Sequence, residues 1–587
     1  MIFRKSKTQD ETFLFPGEAK ILNGHGAAFA VEAVASEAVL VRAVPDLAEI
    51  TGPARLLVSD GGDSIHDQPA TMREIAHLRP LLGQLAGYAQ VGVRTAGLTN
   101  DLGATHEALS AAAGRRLTYV INLTCRALQR QANALRGGHD DFYRVADTGC
   151  FQFFAKNAQE TADLTLIAHR IAELSLTPGI CAQDFYQTTH ALQPVRCPEK
   201  ELIDRYLGRP EDMIPAPTPS QELLYGKTRR RIPLLLDRDR PAGIGGIQDQ
   251  ESYYRAVAAQ RPFFSSHLDG IIDRAVGEFA ELTGRTYNKA DGYRTDDADV
   301  VVIAQGAVLE PLERVVDYLR EKEKIKAGVI ALRMFRPFPG PEITRLLKGK
   351  KAVTVLERTD QPLAAELPMT REIRSAISRA VENGVPTSAD AEPPFDGYER
   401  YARASDSPRV HSGVYGVGCE LPSFGDLAAV FRNMHVKGNG KRLFYVGDFF
   451  APADRRFPHL QSLQQWLSKQ YPSLGDLTVG GSKDFEPPVQ PGFAVELYSL
   501  SAQGGIFAGN LFAGSLADSL GWAVGTFPEG GLAPNIQPVS FTIFHSEKPR
   551  EGKNGAAHPG SPERVDMVLV SGERLVEDLP SRSRIKT

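Results

Sequence analysis

Cysteine is scarce and dispersed: Cys125, Cys150, Cys181, Cys197 and Cys419 are the five in 587 residues. None forms Cys-x-x-Cys, which excludes a ferredoxin-type cluster module on this chain. An odd, scattered set equally argues against a secreted disulfide scaffold. If the chain serves electron transfer, its clusters sit on a partner. Long apolar runs are also missing, and nothing approaches the roughly 18–20 residues of a membrane-spanning helix. The opening MIFRKSKTQDETF has no apolar signal core, so a cytoplasmic location is expected. There is no basic excess: 67 Lys and Arg face 71 Asp and Glu, a net charge of -4, which argues against a general nucleic-acid binder. What remains is globular composition, 42% hydrophobic and 24% charged, over a length that suggests three or four domains.

The clearest pattern runs from Asp299 to Pro362. Val301–Ile303, Val329–Leu332 and Val353–Leu356 are short apolar runs without alternation, as expected for strands buried on both faces of a parallel sheet. Between them, Val308, Leu309, Leu312, Val315, Val316 and Leu319 form one helical stripe. This is a β-α-β-α-β unit, whose ligand side lies beyond the C-terminal ends of its strands. Gln305-Gly306, Arg333–Phe338 and Glu357-Arg358-Thr359 gather on that rim.

Along the chain, residues 1–16 read as a polar lead-in and 17–208 as an α/β domain. In the latter, Val39–Val44, Ala54–Ser59, Gln90–Arg94, Leu117–Leu123 and Leu164–Ala168 carry the signal of strands or buried helices. A helix is expected at His106–Ala113. Residues 209–247 are rich in Pro, Arg and Gly and read as a linker. Arg229, Arg230 and Arg231 within it read as a solvated or interdomain patch, or as an anion site. Residues 248–383 hold the central domain, 384–485 a second linker and an extension of that domain, and 486–587 a last domain. In that last domain Gly504, Gly505 and Gly509 follow a strand without GxGxxG spacing, so they read as a backbone turn rather than a nucleotide loop.

Several segments resemble the pyruvate:ferredoxin (2-oxoacid:ferredoxin) oxidoreductase family in order and spacing. They are FAELTGRTY (279–287), GAVLEPLERVVDYL, ALRMFRPFP and VLERTDQP in the central unit, and Asn122–His190 ahead of it. The resemblance implies an α/β multidomain chain. It would have a thiamine-diphosphate-binding fold of the pyrimidine type, a transketolase C-terminal-like parallel-sheet domain and a partial gamma-type domain, making an alpha–gamma type subunit. It further implies oxidative decarboxylation of a 2-oxoacid to an acyl-CoA. Thiamine diphosphate and Mg would be shared with a beta-type subunit, because the Gly-Asp-Gly diphosphate motif is absent here. Coenzyme A would be a substrate, iron–sulfur clusters would sit on the partner only, and electrons would leave to ferredoxin or flavodoxin from a hetero-oligomer.

The same resemblance supplies candidate site residues. Arg126, in Thr-Cys-Arg-Ala, falls where the family grips the substrate carboxylate, and a guanidinium suits that task; a helix-surface arginine would read the same way. His139 and Asp141 match the family's His-Gln-Asp turn and could line the cofactor interface, or simply end a helix. His190 reads as a structural histidine or a site residue. There are also departures. Gly26, in Asn23-Gly-His-Gly-Ala, replaces a substrate-touching threonine. Gln84 falls near the glutamate that activates the pyrimidine ring, and no acid lies between Glu74 and Asp101, which leaves Glu74 as the alternative. The family's Arg-Thr-Ser-His arginine is Gln187 here. Two further readings stand beside the enzyme subunit: a catalytically divergent paralogue acting as scaffold in an electron-transfer complex, and a nucleotide-binding enzyme using the rim of the central sheet.

Overall fold

The computed structural model describes residues 13–43, 64–66, 68–128, 130, 134, 136–239, 246–385, 392–419, 421–435, 440–447, 458–481, 492–499, 508–516, 523–529, 539–546, 551–552, 555–556 and 567–570. The first unit contains β1 (Glu18–Leu22), β2 (Ala38–Arg42), β3 (Thr71–Ile75), β4 (Thr95–Thr99), β5 (Val120–Cys125), β6 (Phe151–Phe154), β7 (Gly179–Asp184) and β8 (Gln193–Cys197). Strands β6-β7-β5-β4-β2-β3 lie side by side in that order and all run parallel, while β1 and β8 form a separate antiparallel pair. Parallel strands need helical crossovers on the sheet faces. The helix Ala158–Ser175 is the most deeply set of these. Every residue except Arg170 is buried, because the helix is packed between the sheet and the helices Gly24–Ala35 and Ser266–Thr283. Asn157 caps its first turn, its side chain accepting the Glu160 N–H at 3.0 Å.

Leu164–Ala168 is therefore the middle of a helix. Gln90–Arg94 is the end of the helix Leu78–Gln90 and a turn through Gly92 (φ +77°), and the strand starts at Thr95. Ala54–Ser59 lies outside the described residues. The helix at His106–Gly114 is as expected.

β9 (Met213–Pro215) and β10 (Thr228–Arg230) form an antiparallel pair around the helix Pro219–Tyr225. The stretch expected to be a bare linker thus carries structure and is fastened to the first unit. Arg229 is buried, and its Nη2 donates to the Glu173 carbonyl at 2.7 Å, at the end of the helix Ala158–Ser175. It serves neither as a solvated patch nor as an anion site; it satisfies orphan helix carbonyls.

The second unit contains β11 (Ala290–Tyr293), β12 (Val300–Ala304), β13 (Ala327–Leu332), β14 (Met334–Arg336), β15 (Ala352–Glu357), β16 (Arg409–Val414), β17 (Leu443–Val446) and β18 (Thr478–Val479). Its sheet order is β11-β13-β12-β15-β16-β17-β18, parallel except for β11. The expected stripe on the helix Leu309–Tyr318 and its flanks is buried throughout. β14 leaves this sheet to pair antiparallel with β6, so the second unit adds an edge strand to the first. A last sheet holds β19 (Gly492–Ser499), β20 (Ala523–Glu529) and β21 (Val539–Ser546). After the short pair β22 (Glu551–Gly552) and β23 (Gly555–Ala556) comes β24 (Met567–Val570), giving the order β20-β21-β19-β24. Val495, Ala513 and Val524 from this part pack on Phe185 and Tyr186. No helix among the described residues is long and apolar enough to cross a membrane.

Candidate functional site

Ligands of open parallel sheets sit beyond the carboxyl ends of the strands. In the first unit the ends of β5 and β7 meet the start of the helix Gly24–Ala35. Asn23 accepts the Gly26 N–H at 2.7 Å and so begins that helix. Gly24 donates to the Thr188 carbonyl at 2.8 Å, and a Cβ there would fall 1.9 Å from Gln183 Oε1, so glycine is needed for this close approach. At Gly26 a Cβ would meet only Asn23 Oδ1 at 3.1 Å and more distant Leu22 atoms. Room for a larger residue exists there.

His25 follows, its Nε2 3.2 Å from the Thr124 hydroxyl on β5. Two residues on stands Arg126, its guanidinium 5.3 Å over the Phe185 ring. His190 packs edge-on to Phe185 at 5.1 Å, stacks on Tyr186 at 5.2 Å, and lies 6.4 Å from His25. Burial, reinforced by His190, pushes His25 down to about 3. Burial, then Arg136 and Arg126, pushes His190 down to about 4. Both rings are neutral at pH 7. The structure thus brings Arg126 and the Gly26 helix start together, around a buried, neutral histidine pair.

His139 lies in a second cluster. Its Nε2 is 2.9 Å from Asp184 Oδ1, at the end of β7. Arg358 donates to the same carboxylate at 2.7 Å, and the Ala307 N–H to its other oxygen at 2.7 Å. Burial alone would raise the Asp184 carboxyl, yet His139, Arg358 and the Ala307 amide hold it well below the usual range. Arg358 also donates to Gln187 Oε1 at 2.9 Å and to the Gly416 and Cys419 carbonyls. Tyr143 donates to Gln305 at 2.9 Å, Glu357 accepts the Met369 and Thr370 amides, and Arg333 pairs with Glu160 and Asp291. Gln305, Arg333 and Arg358 of the central sheet's rim therefore face the first unit and are used in joining it, whereas Glu357 holds the start of the helix Pro368–Gly384 in its own unit. That arrangement counts against a nucleotide site there.

Asp141 is buried on the short helix Asp140–Arg144, with Oδ1 lacking a hydrogen-bond partner among the described residues. Burial, then Asp101, raises its carboxyl to about 7. Gln84 sits midway along the helix Leu78–Gln90, roughly 9 Å along the axis from its start. Its Oε1 is buried and without a partner among the described residues. Glu74 lies exposed on the edge strand β3. Residues 75–100 hold no carboxyl, so Glu74 at the edge of this stretch is the acid there that could serve a thiamine pyrimidine ring, and Gln84 could not.

Sequence reasoning missed His25, Arg136 and the Asp184–Arg358 pair. A polar residue ending a buried apolar strand, as Asp184 does, was the one available signal.

The family described as "Pyruvate flavodoxin/ferredoxin oxidoreductase, thiamine diP-bdg" matches residues 81–270, and "Pyruvate:ferredoxin oxidoreductase core domain II" matches 298–388. Pyruvate synthase subunit PorA of Thermotoga maritima is 31% identical over 341 residues, 57% of this chain and 75% of that one. The Pyrococcus furiosus subunit PorA is 33% identical over 276 residues, 46% of this chain and 64% of its own length. Pyruvate-flavodoxin oxidoreductase of Klebsiella pneumoniae is 24% identical over 481 residues, 80% of this chain but 37% of that protein. On its matched domains and on the extent of the Thermotoga relative it covers, this chain belongs to the pyruvate:ferredoxin (flavodoxin) oxidoreductase family.

Proposed function

We propose that this chain is an alpha–gamma type subunit of a 2-oxoacid:ferredoxin oxidoreductase complex, one that decarboxylates a 2-oxoacid oxidatively to an acyl-CoA. The observation that carries this reading is Arg126 set on the Phe185 ring at the strand-end rim, beside His25 and His190. A guanidinium is the cation best matched to a carboxylate, and an aromatic neighbour favours its charged form. The neutral histidines add N–H groups without adding charge, so they orient an anion rather than neutralise it.

Thiamine diphosphate, with Mg, belongs at a surface shared with a beta-type subunit that supplies the diphosphate site. That subunit also carries the iron–sulfur clusters and passes electrons to ferredoxin or flavodoxin. When bound, the cofactor supplies the carbanion-stabilising chemistry. This chain's part is to hold the 2-oxoacid and to exclude water from it. A cytoplasmic setting goes with this reading, since five unpaired thiols suit a reducing compartment.

Gln84 and the carboxyl-free stretch around it favour one other reading, a divergent paralogue serving as scaffold. Purifying the native complex separates the two. Bound thiamine and iron with 2-oxoacid- and CoA-dependent viologen reduction support the enzyme; a complex with iron but neither thiamine nor turnover supports the scaffold.

A further inference from the structure

Glu32, on the helix Gly24–Ala35, is fully buried. Its Oε1 accepts from Asn122 Nδ2 on β5 at 2.8 Å. Its Oε2 accepts from the Ser36 hydroxyl at 2.7 Å and from His169 Nε2, on the helix Ala158–Ser175, at 2.8 Å. Three donors thus converge on two oxygens, an arrangement that an acceptor-only group satisfies. Asn122 is held from its other side as well, its Oδ1 lying 2.8 Å from the Thr165 hydroxyl. His25 and Glu32 are seven positions apart and so share one face of their helix. Asn122 and Thr124 are two positions apart and so share one face of β5. One helix face therefore meets one strand face twice, through Glu32 and Asn122 and through His25 and Thr124.

We propose that Glu32 is a positioning residue: through Asn122 it fixes the rotation and depth of the helix Gly24–Ala35 against β5, and so keeps His25 on Thr124 at the strand end that leads into Arg126. Two buried contacts on one face define the rotation of a helix, where a single contact leaves a pivot. A slip of the helix start changes the distance between the histidine and the arginine, not merely the packing of the core. Apolar side chains fill such a core as well as a buried ionisable group does. Apolar packing is non-directional, however, whereas hydrogen bonds to a carboxylate set a register. Among the described residues His190 faces His25, while His169 and Cys181 face Glu32. Glu32 therefore acts on His25 through the helix and β5, not through its charge.

The inference rests on the reading of His25 as a group of the 2-oxoacid site, and one arm of its test is independent of that reading. In the full chain with isotope-labelled histidine, the NMR signal of His25 is identified by its loss in His25→Gln. It should stay silent between pH 5 and 8, because burial holds the ring neutral there. Glu32→Leu should let water reach the ring and bring its titration into that window, a gain of about 100-fold in proton affinity. Glu32→Gln, which keeps an acceptor for Asn122, should leave it silent. Asn122→Ala cuts the same link from β5 and should act as Glu32→Leu does, so the test survives if one variant fails to fold; a thermal melt reports which are folded. On the assembled complex Glu32→Leu should raise KM for the 2-oxoacid about 10-fold with kcat little changed. It should add nothing once His25→Ala is present. A silent His25 signal in folded Glu32→Leu or Asn122→Ala, or losses that multiply with those of His25→Ala, would overturn the positioning role. A titration that moves as expected, in a complex that turns over no 2-oxoacid, would keep that role and sink the activity reading.

Discussion

Arg358 and Asp184 meet at 2.7 Å with both side chains fully buried, joining the end of β15 to the end of β7. The pair is 174 residues apart in sequence and forms the electrostatic centre of the seam between the two sheets. Close packing surrounds it: a Cβ at Gly137 would fall 2.4 Å from Arg358 Nη1, and one at Gly306 2.0 Å from Asp184 Oδ2. Arg358→Met should leave a buried carboxylate without its main cation and cost about 3–5 kcal/mol. Asp184→Asn in the same background should return part of that loss. Chemical denaturation midpoints of Arg358→Met, Asp184→Asn and the double variant check this, and additive losses would show that the pair is not coupled.

Arg229 closes the end of the most buried helix. Beside its bond to Glu173, its Nη1 donates to the Arg231 carbonyl at 2.5 Å and its Nε to Gln221 at 2.7 Å. Arg229→Met should destabilise the first unit by about 2–3 kcal/mol, because several buried acceptors lose a charged donor. Arg230→Ala, next to it but partly exposed, should stay within about 0.5 kcal/mol. Thermal unfolding distinguishes them, and equal effects would mean that Arg229 acts only through bulk charge.

Legibility followed locality. β12, β13 and β15 were readable because both faces of each are covered, which leaves unbroken apolar runs. β7, Gly-Ile-Cys-Ala-Gln-Asp, is just as buried, but it ends in the polar pair Gln183-Asp184 that the site and the seam require. That polarity hid it. Arg126 could be named because the motif around it resembles the family's, whereas Arg136 and His25 join its surroundings only through rings and hydroxyls far along the chain. The stretch 209–247 reads as a linker by composition; what holds its described residues 209–239 down is hydrogen bonding by Arg229, which composition does not express.

Thiol chemistry should divide the cysteines sharply. Cys125, Cys150, Cys181 and Cys197 are buried and Cys419 is exposed. Burial pushes Cys150 up to about 12 and Cys197 up to about 11, so little thiolate forms at neutral pH. A chromogenic disulfide reagent at pH 8 should titrate one thiol quickly in the native chain and the remaining four only after denaturation. The chain purified alone should also hold no stoichiometric iron, since the described residues contain no group of metal-ligating side chains. A cluster signal from this chain alone would refute the assignment of clusters to the partner.

Asp141 links stability to pH. Burial and the neighbouring Asp101 raise its carboxyl to about 7 in the folded chain, while the same group ionises near its ordinary value of 3.8 when unfolded. Between those values the folded state holds the extra proton, so unfolding releases it and stability falls as pH rises. The contribution is complete below about pH 4, declines through the interval and is gone above about pH 7. Asp141→Asn removes the ionisation while keeping the shape of the side chain. It should therefore change little at pH 4.5 and stabilise the chain by roughly 1–3 kcal/mol at pH 8. Denaturation midpoints of both proteins across pH 4.5–8 decide the matter. A variant that lost stability most at pH 8 would show that Asp141 is held as a carboxylate, with Arg144 outweighing its burial and Asp101.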